Sequence, residues 1–267
     1  MKTHLVFPLL GACIVGFGCA RAKPGTFPEQ PAPAAGTSTL AASTTPTSAP
    51  TQPSSEVELS AEPSHHLAVE NQYIRALKVD LAPNSATLKH RHGHDYVTVT
   101  FGSADLSNEV DGKPPANVKL EDGQVRFTEG GGPAHLVRNM GQSSFRNVTI
   151  ELLVPPAPTG TPSKWEDEKA VAAFKGGSRE VLLTKGSARV VKIELKPGGA
   201  LPKQELEGPH LFVAVSELDL RDGAPAKTSH AVELKSGEVK WEDAGPAHKL
   251  VNKGKQAAKV VVLEFKP

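Results

Sequence analysis

The sequence carries almost no net charge and very few cysteines. Its 267 residues hold 30 Lys plus Arg against 29 Asp plus Glu, and no basic run stands out. A protein that binds nucleic acid through its phosphates needs a basic patch, so nucleic acid is discounted as a partner. Both cysteines, Cys13 and Cys19, lie in the first nineteen residues. The rest of the chain has no disulfides, and we expect core packing to stabilise it.

Residues 1–19 lack an apolar run long enough to span a bilayer as a mature helix. Lys2 supplies a positively charged start, Leu5 to Gly18 is a short apolar segment, and Cys19 follows it. This pattern resembles a bacterial lipoprotein signal peptide, in which cleavage leaves an acylated cysteine at the new N-terminus. The resemblance implies a lipid anchor at Cys19 and a location in the bacterial cell envelope.

The cleavage site has one competitor. Leu10-Gly-Ala before Cys13 matches the lipobox consensus better, but cleavage there would leave an apolar run of only Leu5 to Leu10. Cys19 is therefore preferred, and an ordinary secretory signal without lipid is the alternative. Ala20, rather than Asp, follows the cysteine. In Gram-negative lipoproteins this resembles sorting to the periplasmic side of the outer membrane.

Residues 20–60 are rich in Ala, Pro, Ser and Thr. From Lys23 to about Ser55 the only large apolar residues are Phe27 and Leu40. Such a segment buries too little apolar surface to offset its chain entropy. We interpret it as a disordered, proline-stiffened tether that holds the folded part off the membrane.

The remaining chain contains an internal repeat. Residues 75–83 (RALKVDLAP) return 114 positions later as residues 189–197 (RVVKIELKP). Residues 123–127 (GQVRF) match residues 237–241 (GEVKW), and after a single-residue deletion PAHxxxN recurs from Pro133 and from Pro246. A repeat of this length is a whole small domain, which predicts two domains, residues 61–156 and 179–267.

Both copies read as strands. Ile74 to Leu81, Tyr96 to Phe101, Gln124 to Phe127 and Phe145 to Leu153 are β-branched or alternating, and turn signals separate them. Many short strands with turn punctuation predict an all-β sandwich or barrel. Residues 157–178 form a linker for which we expect one short helix, with a capping box at Ser163, an apolar stripe from Trp165 to Phe174, and a glycine stop.

The first copy concentrates its histidines in one stretch. Side chains alternate across a strand, so His90, His92, His94 and Tyr96 share one face. Neutral imidazoles are common ligands of transition metals, and two at i and i+2 with a third from another strand give a facial site with open positions. His135 is the expected third donor.

These motifs resemble those of the cupin superfamily. Its first motif is His-x-His with a Glu three or four residues further on, and its second combines a Gly, a Pro-containing turn and His-x-x-x-Asn. His90 and His92 match the first, and Gly123, Pro133, His135 and Asn139 match the second. The resemblance covers residues 66–154 and 179–266. It implies a bicupin, two tandem double-stranded β-helix (jelly-roll-like) barrels.

The departures from the family pattern shape the expected site. The family glutamate falls at Tyr96 or Val97, and Asp95 points to the other face unless the strand bulges. The expected metal set is therefore His90, His92 and His135, similar to three-histidine cupins, with Fe, Mn, Zn, Ni or Cu as the ion.

For other polar residues near these ligands the sequence leaves more than one role open. His94 is a fourth donor to the metal, a base that contacts a ligand residue, or a residue of the rim, and Asp95 is the other candidate for contacting a ligand residue. Tyr96 either donates a hydrogen bond as the catalytic candidate or fills the barrel. His65 and His66 precede the first strand and are expected at the barrel edge.

The second copy has lost the motif. The positions equivalent to His90, His92, His94 and Tyr96 are Gln204, Leu206, Gly208 and His210, while the equivalent of His135 is retained as His248. Leucine cannot ligate a metal, so we expect at most a degenerate polar cluster of Gln204, His210 and His248.

Two functions remain open. One is a metal-dependent oxygenase, isomerase or lyase acting on a small anionic molecule in the first barrel. The other is an envelope protein without metal or catalysis that binds a ligand or serves a structural role, because one fold hosts both. No membrane contact is expected apart from the lipid.

Overall fold

The computed structural model describes residues 55–153, 165, 171–201, 208–222, 230–245 and 249–266. These residues form strands and one short 3-10 helix, Leu59–Ala61. No helix in this part of the chain is long and apolar enough to cross a bilayer. The predicted signal peptide with Cys19, and the tether up to residue 54, lie outside the described residues.

Eight strands make up the first barrel. A five-stranded sheet has the order β1-β2-β8-β3-β6, and a three-stranded sheet has the order β5-β4-β7. Their bounds are β1 His65–Glu70, β2 Ile74–Leu81, β3 Tyr96–Phe101, β4 Ala104–Val110, β5 Ala116–Leu120, β6 Val125–Thr128, β7 His135–Asn139 and β8 Phe145–Leu152.

The second barrel repeats this arrangement and adds one edge strand. Its sheets have the orders β15-β12-β17-β11-β10-β9 and β14-β13-β16. The bounds are β9 Val171–Phe174, β10 Gly177–Lys185, β11 Ala188–Leu195, β12 His210–Ala214, β13 Leu218–Asp222, β14 Ala231–Leu234, β15 Val239–Glu242, β16 Leu250–Asn252 and β17 Ala258–Phe265. The predicted all-β fold with two barrels is confirmed.

Equivalent asparagines show the duplication at atomic detail. The Asn139 amide nitrogen donates to the carbonyls of Leu81 and Ser143, and its oxygen accepts from the Gly141 backbone N–H. In the second barrel, Asn252 makes the same three contacts with Leu195, Gln256 and Gly254. The asparagine that ends the second motif therefore ties the turn that follows it to the end of β2 in the first barrel and of β11 in the second.

The two barrels pack through the outer faces of their large sheets. Strand β8 alternates, so Val148, Ile150 and Leu152 join a shared core with Val261 and Leu263 of β17. The intervening residues of β8 face the inside of the first barrel. Both faces of this strand are buried, one in the apolar core shared by the two barrels and the other, which is polar, towards the inside of the first barrel.

The interiors of the barrels differ. Apolar side chains fill the second barrel, among them Leu201, Phe212, Leu220 and Val262. The first barrel has a smaller apolar cluster of Leu81, Leu106, Leu120 and Phe145, next to a cavity of about 370 Å³. The first barrel thus has a cavity inside it, whereas packed apolar side chains occupy the described interior of the second barrel.

Two expectations about the connecting segments are wrong. Val171–Phe174 forms strand β9 rather than the end of a helix, and it pairs antiparallel with β10. Of the two glycines that were expected to stop the helix, Gly176 lies in the hairpin turn with φ +86°, and Gly177 begins β10. Trp165 donates from its indole N–H to the Ser187 carbonyl; the rest of the expected helix lies outside the described residues.

The folded part also begins before residue 61. The Val57 N–H donates to the Lys89 carbonyl, Arg91 pairs with Glu56, and Leu59 is buried. Residues 55–60, assigned to the tether from their neighbours' composition, are therefore packed against the first barrel. This strap leads directly into the residues that support the histidine cluster.

Candidate metal centre

Backbone pairing brings two of the expected ligands together. His90 and His135 form an isolated antiparallel bridge, with N–H to carbonyl distances of 3.0 and 2.8 Å. Residues directly opposite each other in antiparallel strands point their side chains the same way. The Nε2 atoms of the two rings consequently lie 3.3 Å apart.

The most compact group contains a histidine that was expected elsewhere. Ligand nitrogens of His65, His90 and His92 all lie within 4.8 Å of one another. His65 and His66 begin strand β1 rather than preceding it, and β1 lies at the edge of its sheet. The His65 side chain is nevertheless 5% exposed, whereas His66 is exposed. His135 joins the group through its contact with His90, and the cluster thus has four imidazoles.

A buried carboxylate orients His65. Glu62 Oε2 accepts from the Ser64 N–H and contacts His65 Nδ1 at short range, while Oε1 accepts from the Leu88 N–H at 3.0 Å. Burial acts to raise the pKa of Glu62, but the hydrogen bonds from Ser64, His65 and Leu88 lower it overall. Glu62 is therefore ionised and leaves His65 Nε2 free to face the other rings.

Two further histidines have a polar group near their outer ring nitrogen. His90 Nδ1 lies 2.8 Å from the Leu88 carbonyl, which fixes a proton on Nδ1 and leaves Nε2 as the donor atom. His92 Nδ1 lies 3.4 Å from Glu151 Oε1. Glu151 is buried and also pairs with Arg75. Ligating histidines usually have such an outer partner on the second ring nitrogen.

Burial keeps these imidazoles neutral. It lowers the pKa of His65 to about 4, against the opposing effect of Glu62. It also lowers the pKa of His135 to about 3, and the neighbouring histidines add to that shift. The pKa of His90 is lowered by burial as well. Neutral imidazole is the form that ligates metals, so the cluster can accept an ion near pH 7 without releasing protons from these rings.

Tyr96 lies beside the cluster. Its ring stacks on His92 with centroids 4.1 Å apart, and burial raises the pKa of its hydroxyl, opposed by a hydrogen bond with Thr128. Tyr96 stands at one of the two positions where the cupin motif would have its glutamate. It lines the cavity and remains the candidate for donating a hydrogen bond to a bound molecule.

The two residues that were expected to contact the ligands, His94 and Asp95, have other surroundings. His94 is exposed, which matches the rim alternative. Asp95 accepts from the Gly130 N–H at 2.9 Å and pairs with Lys185 of the second barrel at 2.5 Å. The carboxylates that contact the cluster are Glu62 and Glu151. The repeat could have pointed to Glu151, because this residue aligns with Glu264 of the second copy. Arg189 pairs with Glu264 in the second barrel, and the equivalent Arg75 pairs with Glu151 in the first.

The second barrel retains one of its three expected polar residues in the described part. His210 is buried and donates from Nδ1 to the Gly208 carbonyl. Its Nε2 lies 3.5 Å from Glu242, which also contacts His230 and Lys240. Gln204, Leu206 and His248 lie outside the described residues. Glu242 is thus held among cationic and imidazole groups, and its pKa falls to about 2 despite its burial.

No protein-family model matches the chain, and no curated protein matches it. Solved structures do match. AerE from Microcystis aeruginosa aligns over 77% of this chain and 99% of its own, at 11% identity and a TM-score of 0.52. The putative glyoxylate induced protein from Pseudomonas aeruginosa aligns over 75% and 77%, at 16% identity and a TM-score of 0.55.

A third similar structure is Bacillus subtilis oxalate decarboxylase, described with Mn(II) centres. It aligns over 76% of each chain at 9% identity and a TM-score of 0.51. The protein has the bicupin fold. The fold that the motif resemblance implied is thereby confirmed, and at these identities the likeness concerns the fold alone.

Proposed function

We propose that this bicupin holds one divalent transition-metal ion in its first barrel and uses it to bind or convert a small anionic molecule. The observation that carries the proposal is the convergence of His65, His90 and His92, whose ligand nitrogens lie within 4.8 Å of one another. His135 Nε2, 3.3 Å from His90 Nε2, supplies a further donor. These four residues are the proposed ligands.

The environment of the rings fits a metal. Two bare imidazole nitrogens at the His90–His135 separation repel each other unless a proton or a cation lies between them. Glu62 and the Leu88 carbonyl hold the outer nitrogens of His65 and His90, as at metal sites in general, and Glu151 lies near that of His92. A divalent ion bound there would act as a Lewis acid with open positions.

The imidazole ligands limit which metal ions and which bound molecules are expected at the site. Imidazole nitrogen suits Zn, Cu, Fe and Ni, and Mn is supported by analogy with the oxalate decarboxylase named above. Neutral ligands leave the ion its full 2+ charge, which favours an anionic partner.

Metal analysis tests the proposal directly. Purified, untagged protein should contain about one transition-metal ion per chain, and added metal should raise its melting temperature. His90→Ala/His92→Ala should lose both the ion and the temperature rise. His66→Ala, an exposed neighbour on the same strand as His65, is the matched control and should keep both. His210→Ala should also leave the stoichiometry unchanged.

The result also separates the two functional classes. A metal-free wild-type protein, or a double mutant that still responds to metal, would leave the envelope protein without a metal centre as the remaining function. A single ion lost in the double mutant would support the metal-dependent class.

We further propose that the chain is a lipoprotein of the cell envelope, acylated at Cys19 and held on the periplasmic side of the outer membrane. The apolar segment before Cys19 supports this, and the several acyl chains of a mature lipoprotein anchor more firmly than one. Cys19→Ser should move the protein from the membrane fraction to the soluble fraction. If Cys13→Ser releases it and Cys19→Ser does not, the cleavage site is the earlier cysteine.

A further inference from the structure

Polar side chains line the inside of the first barrel in two cross-strand pairs. Thr98 of β3 lies opposite Thr149 of β8, and Thr100 lies opposite Asn147. All four line the cavity. We call these two pairs the polar ladder. The pair before them on the same strands is Tyr96 and Glu151, which contacts the histidine cluster, so the ladder runs from the histidines into the barrel in steps of about 7 Å.

The second barrel shows that the fold does not require this ladder. At the equivalent positions Phe212 lies opposite Val262, and Ala214 lies opposite Val260. These four residues belong to the apolar core of the second barrel. The same backbone register therefore supports a filled apolar interior in one copy and a polar cavity in the other.

Several polar groups along the cavity have no protein partner. Within the described part of the chain, the side chains of Thr98 and Thr100 make no hydrogen bond, and the Asn108 Oδ1 atom is buried and unpaired. Thr149 donates to the Asn147 oxygen, which leaves the Asn147 amide nitrogen available. A buried polar group without a partner is costly, so the Asn108 oxygen needs water or a polar ligand, and the threonine hydroxyls that line the same cavity can bond to it as well.

One positive charge lies in line with the ladder. Arg126 of β6 is opposite Thr98 on its other side, lines the cavity, and forms no ion pair with the described residues. Lys240 stands at the equivalent place in the second barrel, but it pairs with Glu242 at 2.9 Å. Arg126 is thus available for a carboxylate, which guanidinium recognises well.

We propose that the first barrel binds a small acid carrying several hydroxyl groups, with Arg126 facing its carboxylate and the polar ladder hydrogen-bonding its hydroxyls. This names a ligand class for the site of the proposed function and rests on it. The ladder offers neutral donors and acceptors, which suit hydroxyls better than a second charge. A cavity of about 370 Å³ lies at the small end of ligand sites, which run from about 300 to 1,000 Å³.

Three six-carbon probes separate the contribution of the carboxylate to binding from that of the hydroxyls. Gluconate has the carboxylate and the hydroxyls, hexanoate lacks the hydroxyls, and glucitol lacks the carboxylate. Calorimetric titration of metal-loaded wild-type protein should give an affinity for gluconate at least tenfold above that for either of the others. Thr98→Val/Thr149→Val should lower gluconate affinity at least tenfold and leave hexanoate affinity unchanged.

Arg126→Gln provides the complementary test. This substitution should lower the affinity for gluconate at least tenfold and leave the affinity for glucitol unchanged. Thr184→Val, a threonine on the exposed face of β10, is the control and should leave all three affinities unchanged. Metal content is measured for each protein, so loss of the ion is distinguished from loss of the hydroxyl contacts.

The proposal is wrong if hexanoate binds as tightly as gluconate, or if the double valine variant binds gluconate like wild type. It is also wrong if gluconate, threonate and glucoheptonate all fail to bind metal-loaded wild-type protein, because the ladder then holds only water. If the purified wild-type protein contains no metal and takes up none when metal is added, the proposed function itself is wrong.

Discussion

His90 and His135 hold their Nε2 atoms 3.3 Å apart because their backbones exchange both hydrogen bonds of one antiparallel pair. Strand pairing rather than a loop sets the separation of these two nitrogens. The geometry therefore exists before any ligand binds. Such preorganisation reduces the cost of ordering side chains on binding, and it makes the following variants informative.

Glu62→Gln should weaken metal binding by roughly 10- to 100-fold, the usual effect of removing an outer partner of a ligating histidine. Glu62 contacts His65 Nδ1 and the Leu88 N–H, and a neutral amide orients the ring less strongly. Competitive titration with a metal indicator measures the affinity. Glu58→Gln, at an exposed position four residues earlier, should match wild type, and equal affinities for all three proteins would contradict the role of Glu62.

Metal-free protein should lose stability as the pH falls from about 6.5 towards 4. Burial holds the pKa values of His65 and His135 at about 4 and about 3 in the folded state, below the unfolded value near 6.5. The unfolded state then binds more protons within this window, so stability is complete above pH 6.5 and declines below it.

The expected loss is on the order of 1–3 kcal/mol for each histidine. Urea unfolding at a series of pH values measures it. His135→Asn should flatten the dependence, and a variant as pH-sensitive as wild type would show that other groups cause it.

Tyr96→Phe and His135→Ala should differ in their effect on the metal. His135 is a proposed ligand, so its removal should lower metal affinity at least tenfold. Tyr96 stacks on His92 through its ring, which phenylalanine preserves, so metal affinity should stay within about twofold. In a turnover assay both variants should lose activity. Release of the ion by Tyr96→Phe would instead make the tyrosine hydroxyl part of the metal site.

Asn139→Ala and Asn252→Ala should each destabilise the fold by about 3 kcal/mol, because each would leave buried backbone groups unpaired. The two side chains make equivalent contacts in the two barrels. Chemical unfolding of both variants tests the equivalence. Asn117→Ala, on the exposed part of β5, serves as the control, and a near-zero effect at either motif asparagine would contradict a structural role.

Much of the fold could be predicted from local pattern. The repeat gave two domains, and alternation with turn punctuation gave strands, because a strand's period and its turns are local properties of the chain. His90 and His92 do converge as expected, but the continuous strand predicted from His90 to Tyr96 is wrong, because residues 91–95 are not in a strand and β3 begins at Tyr96. The expected helix at Val171–Phe174 failed because four residues next to a glycine turn gain more by pairing with β10 than by continuing a short helix.

The full histidine cluster depended on tertiary structure. His65 reaches the site because β1 pairs with β2 in the register that sets it opposite Val79, and Glu62 reaches it through the packing of the preceding strap. Neither position carries a motif. The polar ladder was present in the sequence all along, as threonines where the second copy has Phe212 and Val262, but only the strand register shows that these residues face one another across a cavity. Sequence alone determined the repeat and the histidine pair, whereas long-range pairing decided which further side chains surround them.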